Sequence, residues 1–147
     1  MDQITVSIFL LTYNQEQFIA QTINSILMQK ANFNFQIVIG EDCSTDGTRS
    51  ICETFAEKYS NKIKLLPALE KNIGLIANYM RTIKACEGKY IAICDGDDYW
   101  IDENKLQSQC LLWGTSFWCG AQKFFNTSNT FGGNSRANRR PHQAENI

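Results

Sequence analysis

Apolar residues come in short blocks separated by polar turns. Ile4 to Leu11 (ITVSIFLL) is β-branched and almost continuously apolar, the pattern of a strand covered on both faces. From Gln15 to Gln29 the apolar positions Phe18, Ile19, Thr22, Ile23, Ile26 and Leu27 recur at helical spacing. This predicts an amphipathic helix with Asn14 as its N-cap. Phe35 to Ile39 reads as a second strand, and Ile51, Cys52, Phe55, Ala56 and Tyr59 as the stripe of a second helix. Ile63 to Leu66 forms a short third strand closed by Pro67. A turn at Lys71 to Gly74 leads into a third helix, with Ile76, Tyr79, Met80 and Ile83 facing inward. Tyr90 to Cys94 is a fourth strand that runs into Asp95-Gly96-Asp97-Asp98.

Strand and helix thus alternate over about ninety residues, which predicts an α/β fold. The sheet is expected to be parallel, sandwiched by helices, with a ligand crevice at the carboxyl ends of the strands.

A chain of 147 residues with 44% hydrophobic and 20% charged positions builds one core. The net charge of −1 argues against a nucleic-acid partner. Charge is unevenly spread: residues 1–109 carry net −4 and residues 110–147 net +3. The expected organisation is therefore a domain over 1–109 and an atypical tail over 110–147. After Trp118 the tail shows neither helical nor strand periodicity, and disorder is expected over 126–147. The expected reading is an N-terminal part of a longer protein with a non-native end. The six cysteines include no C-x-x-C, which suits reduced thiols in the cytoplasm. No stretch has the length and apolarity of a membrane span, and the N-terminus lacks a signal-peptide pattern.

Three strand ends carry polar residues: Thr12-Tyr13-Asn14, then Glu41-Asp42 through Thr48, then Asp95 to Asp98. No glycine-rich dinucleotide loop or P-loop is present. Three aspartates in four positions repel one another unless a cation or hydrogen-bond donors compensate. Hard carboxylate oxygens on a short turn suit Mg²⁺ or Mn²⁺.

VSIFLLTYN, IVIGEDCSTDGT and NIGLIANYMRTIKACEGKYIAICDGDDYW together resemble family 2 glycosyltransferases of the GT-A fold, in order and spacing over residues 4–106. Cys43 stands where that family customarily has Gly, and Ala77 where it often has Arg. The resemblance implies transfer of a sugar, with inversion, from a nucleoside-diphosphate-sugar (a UDP-sugar favoured) to a glycan or lipid-linked saccharide in cell-surface polysaccharide biosynthesis. It implies a donor site formed by Thr12, Tyr13, Asn14, Glu41, Asp42, Asn72, Gly74, Asn78, Asp95 and Gly96. A Mn or Mg cation would be held by Asp95 and Asp97, with Asp98 in support. Lys71 or Arg81 would neutralise the diphosphate in place of the missing Arg. Such a chain is expected in the cytoplasm, with peripheral association at the inner face of the membrane. The family's general base, commonly an Asp well beyond the D-x-D, has no counterpart here, so the catalytic base is unassigned. The lone His142 lies in the irregular tail, where nothing in the pattern positions it. The alternatives are a non-catalytic nucleotide-binding fragment and a D-x-D phosphotransferase, although in the latter the pair normally follows the first strand.

Overall fold

A computed structural model describes residues 3–115 and 124–126. The element order is β1 (Val6–Thr12), α1 (Ile19–Leu27), β2 (Phe35–Glu41), α2 (Thr48–Lys58), β3 (Ile63–Leu65), α3 (Leu75–Lys84), β4 (Tyr90–Asp95), α4 (Lys105–Thr115) and β5 (Phe124–Asn126). The five strands form one parallel sheet in the order β3-β2-β1-β4-β5. Every residue of β1 and β2 is buried, as their continuous apolar runs require of strands covered on both faces. The core joins Ile8 and Leu10 of β1 to Ile37 and Ile39 of β2, Ile23 and Ile26 of α1, and Trp100 and Leu106. Cys52 and Cys94 behave as small core hydrophobes, and burial pushes both thiols up to about 12.

The chain proceeds outward from β1 to β2 and β3, then α3 returns it to β4 on the other side of β1. The order of strands therefore reverses at β1, and a crevice opens there at the carboxyl ends of β1, β2 and β4.

Three expectations need correction. Asn14 is not the cap of α1: its backbone is left-handed (φ 52°), and Phe18, with no side-chain cap, occupies the N-cap. The Asn14 side chain is instead captured by the neighbouring loop, accepting from the Thr45 N–H at 2.8 Å. The third helix presents a different face: Asn78 and Thr82 are buried, whereas Ile76 is 81% and Met80 47% exposed. Hydrogen bonding overrides the apolar stripe here. The Asn78 side chain donates to the Gly40 carbonyl at 2.8 Å. Gly40 has no side chain to keep Thr82 away, and a Cβ there would lie 1.9 Å from Thr82 Oγ1. Tyr79 does face inward, its ring centroid 4.8 Å from that of Phe9. Lastly, strand β5 lies beyond Trp118, where no periodicity was evident, and the composition change at 109 falls within α4. The disorder expected over 126–147 lies outside the described residues, apart from Asn126, the last residue of β5.

Candidate functional site

A cavity of about 420 Å³ opens at the reversal point. It is lined by Leu11, Thr12, Tyr13, Gln15, Asp42, Asn72, Gly74, Leu75, Asn78, Asp95 and Asp97. Residues from three strand ends thus share one space. A larger cavity, about 990 Å³, lies among Asn32 to Gln36, Ser60 to Lys64 and Gln107, at the amino ends of β1, β2 and β3. Parallel sheets bind their ligands at the other end, and the clustered carboxylates lie only in the smaller cavity.

Asp42 is buried (3% exposed), yet its carboxylate is well provided for. Oδ1 accepts the Ile73 N–H at 2.9 Å and Oδ2 the Gly74 N–H at 3.0 Å, while Asn72 Nδ2 donates to the Asp42 carbonyl. The Lys71–Gly74 turn is therefore a cradle for Asp42 at the start of α3, where an anion is favoured. Gly74 makes the turn possible. Its φ of 83° and ψ of 161° lie in a region essentially reserved for glycine.

On the other side of the cavity, the Gly96 N–H donates to the Leu11 carbonyl at 2.9 Å, and the Asp98 N–H to the Asp95 carbonyl at 3.0 Å. These bonds hold Asp95 to Asp98 in a turn against the end of β1. A Cβ at Gly96 would lie 2.2 Å from Gln15 Oε1 and 2.7 Å from Thr12 Oγ1, so this position must lack a side chain. Partial burial and repulsion from Asp98 and Asp97 raise the Asp95 carboxyl above its ordinary range. Burial and Asp97 do the same at Asp98, with Lys105 opposing.

Among the described residues no group of three or more His, Cys, Asp or Glu side chains converges on one point. Of the three aspartates lining the cavity, Asp95 and Asp97 share one turn, while Asp42 is committed to the Ile73 and Gly74 amides. Two hard carboxylates on one short turn fit Mg²⁺ or Mn²⁺, which take few protein ligands and complete their shell with water and phosphate oxygens.

Of the residues expected at a donor site, Thr12, Tyr13, Asp42, Asn72, Gly74, Asn78, Asp95 and Asp97 line the cavity; Asn14, Glu41 and Gly96 do not. Glu41 is 1% exposed and points away, accepting from the Ser44 N–H and lying 3.8 Å from Arg49. Arg81 is not a cavity cation. Its guanidinium donates to the Glu41 carbonyl at 2.6 Å, to Asn78 Oδ1 at 2.8 Å and to the Pro67 carbonyl at 3.1 Å, pinning α3 to the end of β2. Lys71 is likewise absent from the lining. Gln15 and Leu75 line the cavity without having been singled out. Leu75, an apolar residue just past a glycine turn and 72% exposed, was the more legible of the two.

Residues 7–144 match the family model described as glycosyl transferase family 2. The match continues through most of the compositionally distinct tail. The putative teichuronic acid biosynthesis glycosyltransferase TuaG of Bacillus subtilis is 35% identical over 104 residues, which are 71% of this chain and 40% of that protein. The structure of S. aureus TarS 1–349 in complex with UDP-GlcNAc superposes with a TM-score of 0.65 at 30% identity, covering 76% of this chain and 31% of that one. The mannosyltransferase PcManGT of Pyrobaculum calidifontis, in complex with GDP-Man and Mn²⁺, shares the fold, with a TM-score of 0.66 at 21% identity over 78% of this chain and 33% of that one. The chain spans about a third of the length of the curated relatives it matches. Among the described residues, no helix is long and apolar enough to cross a membrane.

Proposed function

The chain belongs to glycosyl transferase family 2, with the GT-A fold, and from that premise we propose that its 420 Å³ cavity is the nucleoside-diphosphate-sugar site of a sugar transferase. The observation that carries the proposal is the convergence of Tyr13, Asp42 and the Asp95–Asp97 pair, from three separate strand ends, on one cavity. A UDP-sugar is the favoured donor, in keeping with the UDP-GlcNAc bound by TarS.

Each residue has a physical task. Tyr13 offers a half-exposed ring (45%) for stacking on the base. Asp42, oriented by the Ile73 and Gly74 amides, retains lone pairs to accept a base N–H. Thr12, Asn72 and Asn78 shape the floor and wall. Asp95 and Asp97 would hold the divalent cation, which when bound neutralises the diphosphate and stabilises charge on the departing nucleoside diphosphate. Asn14, Glu41 and Gly96 act by holding the three loops rather than by touching the donor.

Transfer with inversion to a glycan or lipid-linked saccharide, in cell-surface polysaccharide synthesis at the inner face of the membrane, is the activity proposed for the whole protein. It needs a general base and a positioned acceptor. Asp102 and Glu103, the only acids between Asp98 and Thr115, do not line the cavity. Asp102 caps the Asn104 N–H and Glu103 pairs with Lys30. Among the described residues beyond Asp98, no acid reaches the cavity, which supports a donor-binding role for residues 3–115. A thermal-shift panel of UDP, GDP, dTDP and UDP-sugars, with and without Mn²⁺, tests the proposal. Stabilisation by a nucleoside diphosphate, enhanced by the cation, supports it. Stabilisation by orthovanadate or beryllofluoride alone would favour phosphotransfer instead.

A further inference from the structure

Asn14 and Cys43 stand just past the two cavity residues Tyr13 and Asp42, and both have left-handed backbones (φ 52° and 58°). The loops they begin are laced together. The Asn14 N–H donates to Ser44 Oγ at 2.9 Å, and Asn14 Oδ1 accepts from the Thr45 N–H at 2.8 Å and from Thr45 Oγ1 at 3.2 Å. The next residues continue the lacing, with the Gln15 N–H on Thr48 Oγ1 at 2.8 Å and the Gly47 N–H on Glu16 Oε2 at 2.6 Å. Asn14 lies at the head of this series but outside the cavity.

We infer that Asn14 is a positioning residue, a latch that fixes the Tyr13 ring relative to the Asp42 carboxylate and so sets the gap into which a nucleobase fits. The inference rests on the donor-site reading. Asparagine meets two demands at once: it tolerates the left-handed backbone better than other side-chain-bearing residues, and its carbonyl oxygen accepts both Thr45 donors. Glycine meets only the first demand, and aspartate meets both.

Isothermal titration of the full chain with UDP, and separately with inorganic pyrophosphate plus Mn²⁺, tests the latch. Pyrophosphate has no base and reports only on the Asp95–Asp97 side. Asn14→Gly should weaken UDP binding by roughly tenfold, the equivalent of about 1.4 kcal/mol, while leaving Mn²⁺-pyrophosphate affinity unchanged. Asn14→Asp should restore UDP affinity. Ser44→Ala, which removes one latch bond without touching the Asn14 backbone, should give a smaller loss of the same kind. Should Asn14→Gly fail to fold, Ser44→Ala alone decides. Equal UDP affinity in the variants and the parent chain, or parallel loss of UDP and pyrophosphate, overturns the latch. A folded parent chain that binds neither UDP nor another nucleoside diphosphate overturns the donor site itself, and the latch with it.

Discussion

Replacing Gly74 by alanine isolates the backbone's contribution to the site. No heavy atom lies within 4 Å of the position a Cβ would take, so the substitution causes no collision. What it does cause is torsional strain, because φ 83° with ψ 161° is costly for any L-residue with a side chain, by about 1–3 kcal/mol. Alanine also reduces the freedom of the unfolded chain, which returns about 0.4–1 kcal/mol. The turn has one escape, to flip and withdraw its amides from Asp42. That forfeits two hydrogen bonds to a buried carboxylate, at roughly 1.5–3 kcal/mol each, so the strained turn is the cheaper state. The net loss should be about 1–2 kcal/mol, or a fall in Tm of roughly 4–8 °C for a domain of this size. Urea and thermal unfolding measure it, and because the turn keeps its amides on Asp42, UDP affinity should change little. D-Alanine at position 74, introduced by peptide ligation, favours positive φ and should recover most of the stability. If Gly74→Ala were as stable as the parent chain, the Lys71–Gly74 turn would not have the conformation on which the cradle depends.

Gly40→Ala should destabilise for the opposite reason. Its Cβ meets Thr82 Oγ1 at 1.9 Å, and overpacking of this kind costs about 1–3 kcal/mol; combining it with Thr82→Ala should recover part of that loss in urea unfolding. Cys43→Gly should stabilise the chain by up to about 1 kcal/mol, because relief of a left-handed residue, about 1–2 kcal/mol, exceeds the entropy cost of glycine, about 0.5–1 kcal/mol; a lower urea midpoint would contradict this. Asp97→Ala should abolish the cation-dependent part of nucleotide binding while leaving the apo chain unchanged or more stable, by something on the order of 0.5 kcal/mol; an unfolded variant would make Asp97 a structural residue. The raised carboxyls of Asp95 and Asp98 bind protons more tightly folded than unfolded, so their contribution to apo stability falls as pH rises through the carboxylate range. Cation affinity has the opposite dependence and should be lost on acidification from a higher pH than for an ordinary carboxylate pair, as titration with Mn²⁺ across that range will show.

The parallel sheet was legible because β1 and β2 are fully buried runs whose apolar continuity has no other physical outlet, and β4 repeats the apolar run with Ala92 and Cys94 buried. The strand-end carboxylates were legible because a parallel sheet dictates where chemistry collects. The orientation of α3 was not. Its stripe of Ile76 and Met80 predicted one face, but the missing side chain of Gly40 and the amide of Asn78 fixed another, and neither lies within the helix's own periodicity. Asn14, Glu41 and Arg81 show the same limit at the site. Each is a polar residue beside the cavity whose hydrogen-bonding capacity is consumed by a neighbouring loop or strand end, over separations of 31, 3 and 40 residues respectively. Sequence placed these side chains near the chemistry, but only packing shows which of them face it. Strand β5 escaped notice because three residues are too few to display a period.

The nucleotide should occupy the smaller cavity, at the carboxyl ends of β1, β2 and β4. Backbone amide shifts on titration of the isotopically labelled chain with UDP and Mg²⁺ test it directly. The shifts should concentrate at Thr12 and Tyr13, Asp42, Asn72 to Asn78 and Asp95 to Asp97, and paramagnetic broadening on replacing Mg²⁺ with Mn²⁺ should centre on Asp95 and Asp97. Shifts centred instead on Asn32 to Gln36 and Ser60 to Lys64, around the larger cavity at the amino ends of the strands, would contradict the claim.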